Sequence, residues 1–341
     1  MIAGKRATVA SVLHDVGLTS LTLAARRHLA PTRLTVVNFH RVDNEEAARQ
    51  FDQGTLDTTP DGLDRRLRLL RHAFTVIDPD DLLDYLGGRP WPPSPALITF
   101  DDGYRDNYER ALPILQRHGL KALFFVATAY VANRRLFWWD RISYTVKHAR
   151  RSRFEITYPS SLGFDLSGGP GKAERQLHRI AKRVCSLDFD RFLDELAAAV
   201  GLPWDEQLEH QLADQLIMTW TQVRALRTAG MGIGSHTRRH RVLATVPGPE
   251  LTDELAGSRA DLEAAIGEPV WTISYPVGAP IARGSSLWTA VEAAGYKVGF
   301  TYGTGAQRLR SVDPLNVSRH AIERDWSEAR FLGALAFPWL R

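Results

Sequence analysis

Short apolar runs bounded by Pro, Gly or charged residues recur along the chain at Leu34–Phe39, Phe74–Ile77, Ala96–Phe100, Ala122–Ala127, Met231–Ser235, Trp271–Tyr275, Lys297–Thr301 and Asn316–Ile322. Runs of this length, rich in Val, Ile and Phe, predict buried strands. Between them lie stretches with apolar residues at helical spacing: Thr59–His72, Asp80–Leu86, Ala111–His118, Trp220–Ala229, Pro249–Ile266 and Ser286–Ala294. Pro60 with acidic neighbours marks a helix start, and Gly119, Gly230 and Gly295 mark helix ends. Strands alternating with helices predict an α/β protein with a parallel sheet or barrel.

The alternation fails from Lys147 to about Leu216. There Arg153–Tyr158 predicts an isolated strand, Ser160–Gly171 a loop and Ala173–Leu216 helices broken at Gly201–Pro203. The expected organisation is an N-terminal helix over 1–30, a barrel over 31–325 carrying a helical insertion or lid at 147–216, and a closing helix over 326–341. Ser11–Ala30 is expected to form an amphipathic helix with Leu13, Leu18, Leu21 and Leu29 as its apolar contacts. Packing on the body is one reading of it, and a peripheral membrane anchor the other.

The chain has 341 residues, 44% of them hydrophobic, enough for one large core. Its net charge of +4 comes without a basic block or aromatic-interleaved stripe, which argues against a nucleic-acid partner. The single cysteine, Cys185, excludes a disulfide within the chain and reads as a buried bystander thiol. No run of 18 apolar residues occurs, and His14 and Asp15 interrupt what an export signal would need as an apolar core. The expected location is therefore cytoplasmic, with association at a membrane surface as the variant.

Two strand ends carry the chemistry. One reads ALITFDDGY, from Ala96 to Tyr104, and places the adjacent carboxylates Asp101 and Asp102 where a strand meets a loop. In α/β folds that edge binds ligands. Neighbouring residues on a strand point to opposite faces, so the two acids can take different roles. The other reads SHTRRH, with His236 and His240 four residues apart on a helical turn or a strand-to-loop bend. Two imidazoles and a carboxylate make a divalent-metal set with room for water or substrate. Thr99 and Ser235 stand where they can support these groups through hydrogen bonds. The aromatic run Phe137–Trp139 is either packing or a stacking wall for a sugar ring.

TFDDGY and SHTRRH resemble the first two motifs of the polysaccharide deacetylases, the NodB-homology or carbohydrate esterase family 4 group. The opening NFHRV resembles the branch whose first strand carries a YHRV-like sequence. The resemblance runs from about Leu34 to Ile322 and implies a distorted (β/α) barrel of about seven strands. It implies Asp101 as catalytic base, and Asp102, His236 and His240 as ligands of one divalent ion, usually Zn2+. It also implies an oxyanion donor at the backbone N–H of Tyr104, with Tyr275 and Pro276 at the substrate. The family's third motif carries an Arg before Pro that orients the base. Here Tyr275 stands before Pro276, which leaves Arg283 or Arg319 as substitutes. The family's last motif, Leu-x-His, supplies the general acid; His320 is the nearest match, and His40 at the tip of the first strand is the second candidate.

The activity so implied is metal-dependent hydrolysis of an N-acetyl or other N-acyl group on an amino sugar. The substrate would be an envelope or exopolysaccharide glycan, or a lipid-linked sugar precursor. The competing readings are a C–N hydrolase acting on a non-sugar amide, and a glycan-binding barrel without catalysis, which should lack the base or a ligand.

Overall fold

Seven of the apolar runs form strands that close into a ring in the computed structural model, which describes residues 2–29, 32–303 and 305–340. In chain order they are β1 (Arg33–Phe39), β2 (Pro95–Phe100), β3 (Leu123–Val126), β4 (Gly232–Ser235), β5 (Thr272–Ser274), β6 (Val298–Tyr302) and β7 (Val317–Ala321). All are parallel and neighbour one another in sequence order. The ring closes where β7 pairs with β1 at Val37↔His320 and β1 pairs with β2 from Thr35↔Ala96 to Phe39↔Phe100. An antiparallel strand at Ala306–Arg308 on β1, and a two-residue strand at Thr75–Val76 on β2, widen the N-terminal rim. The fold is a distorted (β/α) barrel.

Period-two alternation divides the core in two. Inward-facing Leu34, Val36, Leu97, Leu123, Phe125, Val298, Phe300 and Val317 fill the barrel, and the outward-facing residues pack under the helices. β4 contributes almost no side-chain volume to the interior. A Cβ at Gly234 would lie 2.4 Å from Thr272 Oγ1 and 2.6 Å from the Phe125 ring, so the small residue is what lets Phe125 reach across. The helices follow their capping signals. Thr59 accepts from the Gly62 N–H ahead of Pro60–Ala73, and Thr219 forms a capping box with Gln222 ahead of Trp220–Thr228.

Three local expectations change, and the open reading of the aromatic run is decided. Cys185, expected to be buried, is exposed. The expected N-terminal helix is two helices, Ile2–Asp15 and Leu18–His28, because Gly17 takes a left-handed φ of 75° between them. The loop expected over 160–171 contains Leu162–Asp165, which pairs with Arg153–Ile156 as an antiparallel hairpin. Phe137, Trp138 and Trp139 are buried, so the aromatic run is packing. Between β3 and β4, that hairpin is followed by the helices Gly171–Arg183, Phe189–Val200 and Glu206–Leu216, the first two of which pack on the helix Trp138–Lys147.

Gly234→Ala should destabilise the protein by about 1–3 kcal/mol through overpacking, since the neighbours of the added methyl are a β-branched residue and a ring. Urea denaturation should show a lower midpoint at unchanged slope.

Candidate active site

The C-terminal ends of β1, β2, β4, β5, β6 and β7 bring a set of polar side chains together above the apolar filling of the barrel. Asp101 follows β2 and continues its inward-facing register. Asp102 then enters the left-handed region, with φ 76°, and Gly103 follows with φ 93°. A left-handed aspartate costs about 1 kcal/mol or more in backbone strain. The result is that two consecutive carboxylates face one site, where plain strand alternation would have separated them. Gly103 is needed twice over, for its φ and because a Cβ there would lie 3.2 Å from Val126.

Asp102 Oδ1 lies 3.3 Å from His236 Nε2 and 3.5 Å from His240 Nε2. His236 leaves β4, and its Nδ1 donates to the Ser274 carbonyl at 2.8 Å, which turns Nε2 toward the site. His240 reaches the same point by a bend, with φ 63° at Thr237 and 51° at His240, and its N–H donates to Thr237 Oγ1 at 3.1 Å. The four-residue spacing is thus spanned by a strand-to-loop bend. Ser235 serves the bend by accepting from the Thr237 N–H at 3.0 Å. Trp139 packs on the His240 ring at 4.4 Å between centroids, and Trp138 Nε1 donates to the His240 carbonyl at 3.2 Å.

One ligand atom from each of Asp102, His236 and His240 lies within 4.8 Å of the others, and all three side chains are buried. The donor set fits a divalent ion. Asp102 Oδ1 is buried without a hydrogen bond among the described residues, an arrangement that costs free energy unless a cation answers it. Burial, and next the charge of His236, press the His240 imidazolium down to about 3, so that ring is neutral and ready to ligate. Burial opposes the charge of Asp102 too, but the imidazoles of His236, His240 and His40 outweigh it and hold the carboxyl below its ordinary range. Two nitrogens and one oxygen leave coordination positions for water and substrate.

Asp101 is held differently. Arg319, on the inward face of β7, grips it with two parallel hydrogen bonds, Nη1 to Oδ1 at 2.7 Å and Nη2 to Oδ2 at 2.8 Å. Asn38 Nδ2 and the Tyr302 hydroxyl also donate to Oδ2, each at 3.2 Å. Arg319 further donates to Asn38 Oδ1 at 2.6 Å and to Ser274 Oγ at 2.7 Å. Thr99 acts one step back, donating to Asn38 Oδ1 at 2.6 Å. Burial alone would favour the neutral acid, but the Arg319 charge and then that of His236 overcome it and hold Asp101 far below the usual carboxylate range.

His40 stands on the opposite side of Tyr302. Its Nδ1 lies 2.8 Å from Asp57 Oδ2, and its Nε2 3.0 Å from the Tyr302 hydroxyl. Burial disfavours the imidazolium, but the charge and hydrogen bond of Asp57, with Asp102 and Asp101 beyond, raise the pKa to about 9.

Two expected roles need correction. His320 pairs with β1 on the outward face of β7, against the turn at Gly305, while its neighbour Arg319 reaches the site. Tyr275 likewise faces outward and donates to the Leu315 carbonyl at 2.9 Å; Ser274 is the residue of β5 that touches Asp101 and Arg319. The Tyr104 phenol is buried away from the acids, donating to Asp140 at 2.8 Å and accepting from Trp139 Nε1 at 2.7 Å, which leaves only its backbone for the site. Pro276 opens the turn 276–278 that follows β5. Of the two substitute arginines, Arg319 is buried against Asp101, and Arg283 lies over Trp288. Asn38, Asp57 and Tyr302 were not expected at the site from the sequence. A polar residue two places before His40 inside an apolar run was the available signal for Asn38.

A family model for polysaccharide deacetylase matches residues 88–160 and 203–299, which include both acids and both histidines. The chain belongs to the polysaccharide deacetylase family. A curated relative from Bacillus subtilis, the putative polysaccharide deacetylase YxkH, is 58% identical over 31 residues, 9% of this chain and 11% of that protein. Among solved structures, the Streptococcus pyogenes deacetylase PplD, described in complex with acetate, superposes with a TM-score of 0.56 at 17% identity, covering 89% of this chain and 99% of that one. IcaB from Ammonifex degensii gives 0.54 at 20% identity, covering 90% and 98%. The polysaccharide deacetylase BC0361 of Bacillus cereus gives 0.55 at 15% identity, covering 89% and 69%. At these identities the likeness is one of fold.

Two outcomes test the electrostatics of this family member. Arg319→Gln should cost about 3–5 kcal/mol because it strands a buried carboxylate, and adding Asp101→Asn should recover part of that loss in chemical denaturation. The metal-free protein should also be stabilised by His40 in a pH-dependent way. Its raised pKa makes the contribution full below about pH 6.5, the unfolded value, and lost as pH rises through about 9. The stability difference between wild type and His40→Gln, measured from pH 5 to 10, should shrink across that window.

Proposed function

We propose that this protein is a metal-dependent hydrolase that removes an N-acyl group, foremost N-acetyl, from an amino sugar in a glycan or its lipid-linked precursor. The observation that carries the reading is the pairing of two differently held carboxylates. Asp102 is left open toward two imidazoles, and Asp101 is clamped and ionised beside them. Asp102, His236 and His240 would hold the ion, with Zn2+ as the leading candidate for that donor set. A bound dication supplies Lewis acidity, polarising the amide carbonyl and acidifying a water.

The remaining work falls to the chain. Asp101 accepts the proton of the attacking water at Oδ2, the oxygen that faces His236. Arg319 keeps that carboxylate charged and fixed in orientation, so that neither has to be arranged during the reaction. The oxyanion donor in this reading is the backbone N–H of Tyr104, just past the Asp102–Gly103 bend. Proton donation to the departing amine falls to His40. Asp57 fixes its Nδ1, its Nε2 is turned inward, and it carries a proton at neutral pH. Tyr302, hydrogen-bonded to both His40 and Asp101, keeps acid and base apart at a set distance.

A C–N hydrolase acting on a non-sugar amide is the second reading, favoured by the burial of Phe137, Trp138 and Trp139, which removes that run as a stacking wall for a sugar ring.

Asp101→Asn should retain metal at wild-type stoichiometry while losing at least about 10²-fold in kcat, the scale of a lost general base. His40→Gln should lower kcat more on acetylated amines with poor leaving groups than on activated esters. Acetate release from N-acetylated amino-sugar oligomers, set beside simple acyl amides, separates the two readings. Unchanged turnover in Asp101→Asn would remove the mechanism, and absence of hydrolysis on every substrate with metal bound would favour the silent glycan-binding barrel.

A further inference from the structure

The exposed apolar surface of this protein is concentrated in one place. Among the described residues, eight large hydrophobic side chains are exposed, and six of them lie on the first two helices, the turn between them and the residue after them: Val9, Val12, Val16, Leu18, Leu21 and Leu29. Val9 and Val12 lie three apart on the helix Ile2–Asp15, and Val16 follows four residues on, in the turn that ends it. The opposite face, through Ala10, packs on Gly333 of the C-terminal helix Glu328–Ala336. A seventh, Trp339, belongs to the short turn that packs beside the first helix. Single exposed hydrophobics are ordinary, but a cluster of this kind with a tryptophan on it marks an interaction surface.

Charge identifies the partner. Residues 1–33 contain five basic residues, Lys5, Arg6, Arg26, Arg27 and Arg33, against one acidic residue, Asp15. Their net charge of +4 equals that of the whole chain, so residues 34–341 are electrically balanced. An apolar face, a local positive charge and an exposed tryptophan match the layered chemistry of an anionic bilayer surface: acyl region, phosphate and interface. The arm does not form a straight span. No single helix among the described residues is long and apolar enough to cross a membrane, and the two helices meet at a bend of 73°.

We propose that the helices Ile2–Asp15 and Leu18–His28, with Trp339, seat this protein on the surface of an anionic lipid bilayer. The helices lie in the interface, with Val12, Val16 and Leu21 entering the acyl boundary. Leu23 and Thr19 stay buried against the protein, so seating requires no unfolding of the arm. The proposal is independent of the hydrolytic reading, because none of these residues belongs to the active site.

Flotation of the 341-residue chain with vesicles decides it. Binding should occur with phosphatidylglycerol-containing vesicles, weaken with salt, and be far lower with phosphatidylcholine alone. Val12→Glu combined with Leu21→Glu changes only exposed positions, so circular dichroism and metal content should be unchanged. Partitioning should nevertheless fall by at least about tenfold, the scale of two lost apolar insertions. Equal binding to both vesicle types, or binding that survives the double substitution, would overturn the proposal. So would absence of vesicle binding together with a concentration-dependent dimer that the substitutions dissolve, which would make a second copy of the chain the occupant.

Discussion

The ion pair between Arg319 and Asp101 is the constraint around which the upper half of the barrel is arranged. Both groups are buried, and a charge moved from water to such a place is expensive unless its partner meets it with good geometry. The geometry here is a two-pronged contact, and further hydrogen bonds join the pair to Asn38, Ser274, Tyr302 and Thr99, while Arg319 Nε has no hydrogen-bond partner among the described residues. Five strands therefore have to be in register before this network is satisfied. The apolar lower half fixes their spacing through Phe125 and Phe300, and the arginine sits over both rings at 5.5 Å and 5.9 Å.

The two neighbouring carboxylates are kept chemically distinct by backbone conformation as much as by partners. Continuing β2 by one more extended residue would have sent Asp102 outward among the helices. The left-handed turn brings it back, facing two rings instead of a guanidinium. One acid is thus held by several donors, and among the described residues Oδ1 of the other is left without an aligned one. That contrast, set within a single dipeptide, is what makes a division of labour between proton handling and cation holding physically sensible.

The strands and the four principal site residues were legible because each rests on local pattern: an apolar run of fixed length, and a polar motif at its end. What was not legible depends on which face a strand turns inward. His320 and Arg319 are adjacent, as are Tyr275 and Ser274; Ser274 was passed over, and Arg319 was named only as one of two substitutes for the arginine that orients the base. A one-residue uncertainty in register exchanges the two faces, and no feature of NVSRHAI or TISYP settles it without the neighbouring strands. The hairpin Arg153–Asp165 escaped for a related reason, since its second strand carries Gly163 and little β-branched character. Asp57 lies beyond the barrel strands altogether, and only the folded chain brings it to His40.

The His240 ring is braced from outside the barrel. Trp139 packs against it at a tilt, His178 Nε2 meets the Trp139 carbonyl at 3.2 Å, and Arg241 donates to the Leu187 carbonyl at 3.2 Å. His178 and Leu187 belong to the helical segment between β3 and β4. The integrity of that segment and the position of the His240 ring are consequently linked in both directions. Loosening the helices would slacken the grip on an ion, and a captured ion would in turn rigidify helices that touch it nowhere.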